Sequence, residues 1–328
     1  MNIAVFGGGS WATAIVKILL ENHDKVLWWV KEKDIKESIE NSGYNKLYLR
    51  SCKLDNKKLE ISNDMHYIIS KSDYLFFVIP SAFLESSMQD VTKEELKDRR
   101  IISAIKGIVP STNEVVSNWF MHHFDIPNED LAIISGPSHA EEISQRRLTY
   151  LTCASENILL AKEIAKIIEC SFVKTVICDD VLGIEYGAVM KNIYALAAGI
   201  VKGMDYGDNF IAVLVSNAAI EMQRFLDAIS PREREIKRLA YLGDLLVTAY
   251  SAHSRNRTFG QMIGRGYTVK EAQVEMNMIA EGYYSAQCVH KDNKLINCHL
   301  PIATAVYNIL YKSSPKETEI NNLMSEFI

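Results

Sequence analysis

The sequence predicts an α/β N-terminal domain with a mostly parallel sheet, followed by a C-terminal domain made of helices alone. Short apolar runs alternate with helical segments over the first half of the chain, and parallel strands need connections of that kind. After Asp179 and Asp180 the strand-like runs end, and helical periodicity continues to the end of the sequence. We therefore expect two domains, residues 1–180 and residues 181–328.

The composition is typical of a globular protein that binds neither nucleic acid nor membrane. Hydrophobic residues make up 48% of the 328 residues and charged residues 23%, with a formal net charge of −5, so no basic nucleic-acid footprint is expected. The sequence has no apolar run of about 18 residues that would span a bilayer, and its N-terminal run is too short for a signal peptide. We expect a cytoplasmic protein with six reduced cysteines and no metal site, because no CxxC pair or Cys/His cluster is present.

The first strand and helix are separated by a glycine-rich turn. Residues 2–6 form a short apolar run, helical spacing begins near Thr13, and residues 25–30 form a second strand. The turn between them reads G-x-G-x-x-A at Gly7, Gly9 and Ala12. In such a βαβ unit the first glycine permits a tight turn, and the second lets a pyrophosphate approach the helix N-terminus. The first domain is therefore predicted to be a Rossmann-type dinucleotide-binding domain.

The residues that follow the turn and the second strand bear on the choice of coenzyme. Trp11 either covers the coenzyme or packs between domains. An acidic residue after the second strand usually binds the ribose 2′-OH of NAD, but Lys31 stands about there and its charge suits a 2′-phosphate. Glu32 beside it leaves the choice open, and we expect NADP or dual specificity.

Three further buried strands are each followed by a loop with small or charged residues. The strands and loops read YLFFVIPS at 74–81, RIISAIKGI at 100–108 and LAIISGPS at 131–138. Because ligands bind beyond the carboxyl ends of strands in open parallel sheets, the three loops are expected to line one crevice. In the helical half we expect long helices over 184–202 and 210–226, and core positions for Met276, Met278, Tyr283 and Tyr284.

Six segments in order make the chain resemble the bacterial type of NAD(P)-dependent glycerol-3-phosphate dehydrogenase. They are GGGSWATA at 7–14, AIKGI at 104–108, SGPSHAEE at 135–142, GAVMKNIYALAAGI at 187–200, LGDLLVTAYSAHSRNRTFG at 242–260 and AEG at 280–282. The resemblance implies an all-helical second domain like that of 6-phosphogluconate dehydrogenase. It also implies NAD(P)H-dependent, reversible reduction of dihydroxyacetone phosphate to sn-glycerol 3-phosphate, supply of the glycerophospholipid backbone, and a homodimer. Three departures are Ala12, where many relatives have glycine, Lys31, where the family often has arginine, and Tyr48–Ser51, where it usually has a YLPG-like segment.

The resemblance also implies roles for individual residues. Lys191 is expected to exchange the proton of the substrate oxygen, because burial and a neighbouring cation lower the pKa of a lysine toward neutrality. Asp244 is expected to hold that ammonium or a substrate hydroxyl, or else to cap a helix. Asn192 is expected to bind the substrate or the nicotinamide carboxamide. The implied substrate contacts are Lys106, Gly136, Ser138, Lys191, Asp244, Ser254, Arg255 and Asn256. The implied coenzyme contacts are Gly7, Gly9, Ser10, Trp11, Lys31, Lys106, Ala140, Arg255 and Glu281.

Two other functions remain open on the sequence. One is another β-hydroxyacid dehydrogenase with the same two domains, and the other is a coenzyme-sensing protein without turnover. The pair Lys191–Asn192 argues against a sensor, which has no need of a buried lysine. The segment SRNR at 254–257 favours a phosphorylated substrate over a carboxylate, since arginine binds phosphate bidentately. His139 is expected to fill space rather than to transfer protons.

Overall fold

The computed structural model describes residues 1–276 and 280–327. Met278, expected in the core, lies outside the described residues. The strands are β1 Ile3–Phe6, β2 Val26–Trp29, β3 Leu59–Ser62, β4 Tyr74–Phe77, β5 Arg100–Ser103, β6 Ile108–Val109, β7 Glu114–Val115, β8 Leu131–Ser135, β9 Thr149–Ala154 and β10 Val173–Cys178.

The described helices include two of more than twenty residues. They are α1 Ser10–Leu19, α2 Lys33–Ser42, α3 Met65–Ser70, α4 Ser81–Met88, α5 Lys93–Leu96, α6 Val116–Phe124, α7 Ala140–Ser144, α8 Ile158–Ile168, α9 Val181–Gly203, α10 Asp208–Ile229, α11 Asp244–Tyr250, α12 Arg255–Gly264, α13 Val269–Glu275, α14 Glu281–Ile296, α15 Pro301–Tyr311 and α16 Lys316–Glu326. A π-helical turn, Leu239–Gly243, leads directly into α11.

The chain forms two compact units. The first contains residues 1–105 and 116–181, and the second contains residues 106–115 and 182–328. Residues 106–115, which include the β6–β7 hairpin, therefore pack with the second unit. The predicted domain ranges 1–180 and 181–328 contain no such exchange, because nothing in the sequence indicates that ten residues of the first range pack with helices of the second.

The first unit is built on an eight-stranded sheet in the order β10-β9-β8-β5-β4-β1-β2-β3. All neighbours are parallel except β8 and β9, which are antiparallel. All residues of β1 and β2 are buried, as is typical of parallel strands whose two faces are covered by helices. The predicted Rossmann-type domain with a mostly parallel sheet is confirmed. The neighbours β8, β5 and β4 run parallel, so the loops that follow them leave the same edge of the sheet.

Within the described residues of the second unit, the regular structure is helical apart from the β6–β7 hairpin, which confirms the predicted all-helical class. The helix predicted over 184–202 spans Val181–Gly203 as α9, and the one predicted over 210–226 spans Asp208–Ile229 as α10. Every residue of α9 from 187 to 201 is buried, so α9 is a central helix rather than an amphipathic surface helix. Met276, Tyr283 and Tyr284, expected in the core, are only half-buried.

Candidate active site

The glycine turn of the first unit joins β1 to α1 with almost no side-chain atoms. Gly7 has a φ of +132°, and a Cβ there would lie 2.5 Å from the carbonyl oxygen of Val78, so only glycine fits. Gly9 precedes α1 as its N-cap and makes no side-chain capping bond. A Cβ on Gly9 would meet no atom within 4 Å. The first turn of α1 thus faces open space through a bare backbone.

Side chains hold the carbonyl groups of this turn in place. Trp28 Nε1 donates to the Gly7 carbonyl oxygen at 2.7 Å, and Asn45 Nδ2 donates to that of Gly8 at 2.8 Å. The turn is therefore rigid before any ligand binds. Its open backbone and the positive end of α1, which begins at Ser10, fit a pyrophosphate.

Trp11 makes a defined contact within the first unit. Its Nε1 donates to the carbonyl oxygen of Ala104 at 2.9 Å, and its half-buried ring packs against the core cluster of this unit. The indole thus ties the first turn of α1 to the chain that follows β5. This contact is internal to one unit, and the two roles expected for Trp11, covering the coenzyme or packing between domains, stay predictions.

One acidic residue, Glu32, lies beside the glycine turn. It is the N-cap of α2 but makes no side-chain capping bond, and its Oε2 lies 3.1 Å from the position of a Cβ on Gly8. Lys31, expected beside the ribose, is exposed, as is Glu32. A carboxylate placed at such a turn suits the 2′-OH of an NAD ribose.

The loop after β8 carries three of the predicted site residues. Ser138 Oγ donates to the carbonyl oxygen of Gly136 at 2.8 Å, and Ala140 is the first residue of α7. Residue 139, the predicted space-filling histidine, precedes α7 as its N-cap and is half-buried. All of these residues belong to the first unit, and their roles toward substrate and coenzyme stay predictions.

Two lysines of the second unit share one buried carboxylate. Lys191 Nζ donates to Asp244 Oδ1 at 2.9 Å, and Lys106 Nζ donates to Asp244 Oδ2 at 3.2 Å. The side chain of Asp244 is 1% exposed, that of Lys191 6% and that of Lys106 17%. Lys191 Nζ also donates to Thr248 Oγ1 at 2.9 Å. These bonds use two of the three ammonium protons of Lys191.

The electrostatics of this cluster favour proton exchange at Lys191. Burial lowers the pKa of Lys191 to about 8; Lys106 and Arg255 act in the same direction, and Asp244 opposes them. Burial alone would raise the pKa of Asp244, but the two lysines hold it below its ordinary value. Asp244 is thus an anion that fixes two cations, and Lys191 is an acid near neutral pH.

A chain of hydrogen bonds made by two asparagine side chains lies beside the cluster. Asn192 Nδ2 donates to the carbonyl oxygen of Lys106 at 2.8 Å, and Asn256 Nδ2 donates to Asn192 Oδ1 at 2.9 Å. The backbone N–H of Gly282 then donates to Asn256 Oδ1 at 2.9 Å. This last bond fixes the start of α14, where Glu281 is the first residue. Asn192 and Asn256, expected to contact ligands, therefore also hold the backbone in place.

The predicted phosphate-binding segment forms the start of α12. Ser254 is the N-cap, and its Oγ accepts from the backbone N–H of Arg257 at 3.2 Å. Arg255 is exposed at the first helical position, close enough to Lys191 to lower its pKa. The structure therefore brings the predicted residues of 254–256 near the lysine cluster.

Two residues of this region were missed by sequence reasoning. Thr248 lies four residues after Asp244, hence on the same helix face, and that spacing was a signal that could have identified it. Tyr241 belongs to the π-helical turn before Asp244, which no local pattern predicts.

Within residues 1–276 and 280–327, no group of three or more His, Cys, Asp or Glu side chains is arranged to hold a metal ion. None of the helices in these ranges is long and apolar enough to cross a membrane.

Models of one protein family match both the N-terminal and the C-terminal part of the chain. The family model for the N-terminus of NAD-dependent glycerol-3-phosphate dehydrogenase matches residues 2–161, and the model for its C-terminus matches residues 180–321. The chain belongs to the NAD-dependent glycerol-3-phosphate dehydrogenase family. Curated family members named glycerol-3-phosphate dehydrogenase (NAD(P)+) include one from Staphylococcus carnosus, 33% identical over 323 residues. Another, from Syntrophotalea carbinolica, is 34% identical over 327 residues.

The family assignment extends over nearly the whole chain. The Staphylococcus carnosus alignment covers 98% of this chain and 97% of the relative, and the Syntrophotalea carbinolica alignment covers 99% and 97%. A crystal structure of a glycerol-3-phosphate dehydrogenase from Coxiella burnetii superposes with a TM-score of 0.92 at 27% identity, over 98% of each chain. The resemblance inferred from the six sequence segments is therefore confirmed at the level of family and fold.

Proposed function

We propose that this member of the glycerol-3-phosphate dehydrogenase family uses Lys191 to protonate the ketone oxygen of dihydroxyacetone phosphate while the ketone carbon receives a hydride from the coenzyme, which together give sn-glycerol 3-phosphate. The observation that carries the proposal is the buried ammonium of Lys191, held by Asp244 and Thr248 with one proton left to donate. Its pKa of about 8 allows it to give the proton up during reduction and to take it back, as an amine, during oxidation.

The first unit is proposed to hold the coenzyme at its glycine turn. The open backbone at Gly9 and the N-terminus of α1 at Ser10 support binding of the pyrophosphate. When bound, NAD(P)H supplies the hydride. Trp11 holds the first turn of α1 in place through its bond to Ala104. The remaining proposed coenzyme contacts are Lys31, Lys106, Ala140, Arg255 and Glu281.

Asp244 has two tasks in the proposed reaction. It keeps the ammonium of Lys191 oriented, and it keeps Lys106 beside it as a second cation. Because negative charge grows on the substrate oxygen during reduction, a fixed positive charge at this place stabilises the transition state. The alternative role expected for Asp244, capping a helix, is not supported, because Gly243 is the N-cap of α11 and the two oxygens of Asp244 accept from Lys191 and Lys106.

The substrate phosphate is proposed to bind at the start of α12. Arg255 supplies a guanidinium there, and the helix N-terminus supplies backbone N–H groups. Asn256 is proposed to orient this segment through its bonds to Asn192 and Gly282. Ser254, Gly136, Ser138 and Lys106 complete the proposed substrate contacts. The second hydrogen of Asn192 Nδ2 is proposed to serve the substrate or the nicotinamide carboxamide.

Coenzyme oxidation followed at 340 nm tests the substrate class. We expect turnover with dihydroxyacetone phosphate and at least about 100-fold lower kcat/KM with pyruvate, since a carboxylate lacks the dianionic phosphate that cations bind. A preference for the 2-keto acid would favour another β-hydroxyacid dehydrogenase. Coenzyme binding without turnover of either substrate would favour the sensor.

A homodimer, a cytoplasmic location and supply of the glycerophospholipid backbone are proposed on the family relation alone. Light scattering of the purified chain tests the dimer directly. A mass near 37.1 kDa would contradict it, because that is the mass of one chain.

A further inference from the structure

We propose that Tyr241 is a positioning residue, whose ring packs against Gly187 and thereby sets the position of Asp244 relative to Lys191. The inference rests on the proposed role of Lys191 as proton donor. It concerns a residue that touches neither substrate nor coenzyme in the proposed function.

The π-helical turn places Tyr241 just before the shared carboxylate. The turn spans Leu239–Gly243, and the backbone N–H of Asp244 closes it by donating to the carbonyl oxygens of Leu239 and Tyr241. Single π-helical turns insert one extra residue into the helical repeat and so redirect the side chains that follow. The direction of the Asp244 side chain therefore depends on how this turn is held.

Tyr241 is held against α9 at a glycine. Its side chain is buried, and its Cδ1 and Cε1 lie 2.9 Å and 3.3 Å from the position that a Cβ on Gly187 would take. A side chain at 187 could be accommodated only if the ring moved. Glycine at this position thus lets an aromatic ring lie directly on the backbone of α9.

Two successive contacts consequently connect the same two elements. Gly187 lies one helical turn before Lys191, on the same face of α9. Tyr241 lies three residues before Asp244, so the ring contact is followed one turn later by the 2.9 Å ion pair. A shift of the ring away from α9 would move the carboxylate away from the ammonium.

The charged groups that act on Lys191 determine what such a shift does. Asp244 raises the pKa of Lys191, whereas burial, Lys106 and Arg255 lower it. If Asp244 retreats, the lowering influences remain and the pKa of Lys191 falls further below about 8. Reduction needs the protonated amine, so its rate should then decline at a lower pH than in the wild-type enzyme.

The test compares the pH dependence of kcat for ketone reduction in three variants, together with thermal unfolding. In Gly187→Ala we expect the alkaline decline to move by about 0.5–1 pH unit to lower pH, which corresponds to a lost interaction of about 1 kcal/mol. Tyr241→Leu removes the ring that lies against Gly187 and should also change the profile. Gly207→Ala is the matched control, because a Cβ there meets no atom within 4 Å.

The outcomes separate this inference from the proposed function. A Gly187→Ala enzyme that unfolds at a lower temperature but keeps the wild-type pH profile overturns the positioning role. If that variant does not fold, Tyr241→Leu decides, because it removes the contact with Gly187; an unchanged pH profile in Tyr241→Leu would overturn the positioning role. A wild-type enzyme without any decline near pH 8 would instead contradict the role of Lys191.

Discussion

Backbone atoms form the glycine turn of the first unit, whereas buried charged side chains form the lysine cluster of the second. At Gly7 and Gly9 the chain is useful because it carries no side chain. At Lys191 and Asp244 the reverse holds, since two charges are kept inside the protein and each is stabilised by its partners. The coenzyme binding proposed at the turn therefore depends on open space, and the proton transfer proposed at the cluster depends on burial, so different substitutions should disable them.

The largest effect is expected from removing the proton donor. Lys191→Ala should lower kcat for reduction by about 10²–10⁴, the usual contribution of a general acid. Coenzyme binding at the glycine turn should persist, and fluorescence titration with NADH measures it. Lys202→Ala is the control, because Lys202 lies on the same helix but is partly exposed and pairs with Asp208. Near-normal turnover of Lys191→Ala would remove the basis of the proposed mechanism.

At the glycine turn we expect the opposite result, in which coenzyme binding weakens while the stability of the protein is kept. In Gly9→Ala the added methyl group occupies open space beside the first turn of α1, so the free energy of unfolding should change by less than about 1 kcal/mol. Coenzyme binding should weaken about 10- to 100-fold, because overpacking a binding surface costs about 1–3 kcal/mol. Titration of the variant with NADH measures the dissociation constant.

Gly7→Ala is the matched variant two residues away. Its Cβ would meet the Val78 carbonyl oxygen at 2.5 Å in a backbone conformation that disfavours side chains. We expect the free energy of unfolding to fall by about 3 kcal/mol or more, as measured by denaturant titration. Equal stability of the two variants would show that the fold does not depend on glycine at position 7.

The two regions also differ in how far the sequence predicts them. The glycine turn was predictable because its strand, glycines and helix are contiguous, and each has a physical reason at a fixed spacing. The cluster was not predictable in that way, because Asp244 is 53 residues from Lys191 and 138 residues from Lys106. Only the resemblance of whole segments brought these three residues together before the structure did.

In both units, details that depend on tertiary packing could not be predicted from the sequence. The ten residues from Lys106 to Val115 pack with the second unit, although they follow a strand of the first. Tyr283 and Tyr284 were predicted to lie in the core because their rings are apolar, yet both side chains are only half-buried. Near the second strand, the sequence favoured Lys31 as the coenzyme contact, whereas it is Glu32 whose carboxylate reaches the turn.

That last difference gives the smallest expected effect. Glu32→Gln should tighten NADPH binding about tenfold, because a carboxylate near a 2′-phosphate costs about 1–4 kcal/mol at 4 Å and salt reduces that cost. NADH binding should weaken, since the ribose hydroxyl loses a charged acceptor. Dissociation constants from nicotinamide fluorescence measure both changes. Glu37→Gln, an exposed change on α2, is the control.

Lys31→Ala in the same titrations tests the competing assignment. If the exposed Lys31 binds the 2′-phosphate, its removal should weaken NADPH binding several-fold and leave NADH binding unchanged. If Glu32 alone determines the preference, Lys31→Ala should change neither constant, and only Glu32→Gln should alter their ratio. If Glu32→Gln leaves the ratio of the NADH and NADPH dissociation constants unchanged, the carboxylate of Glu32 does not determine the coenzyme preference.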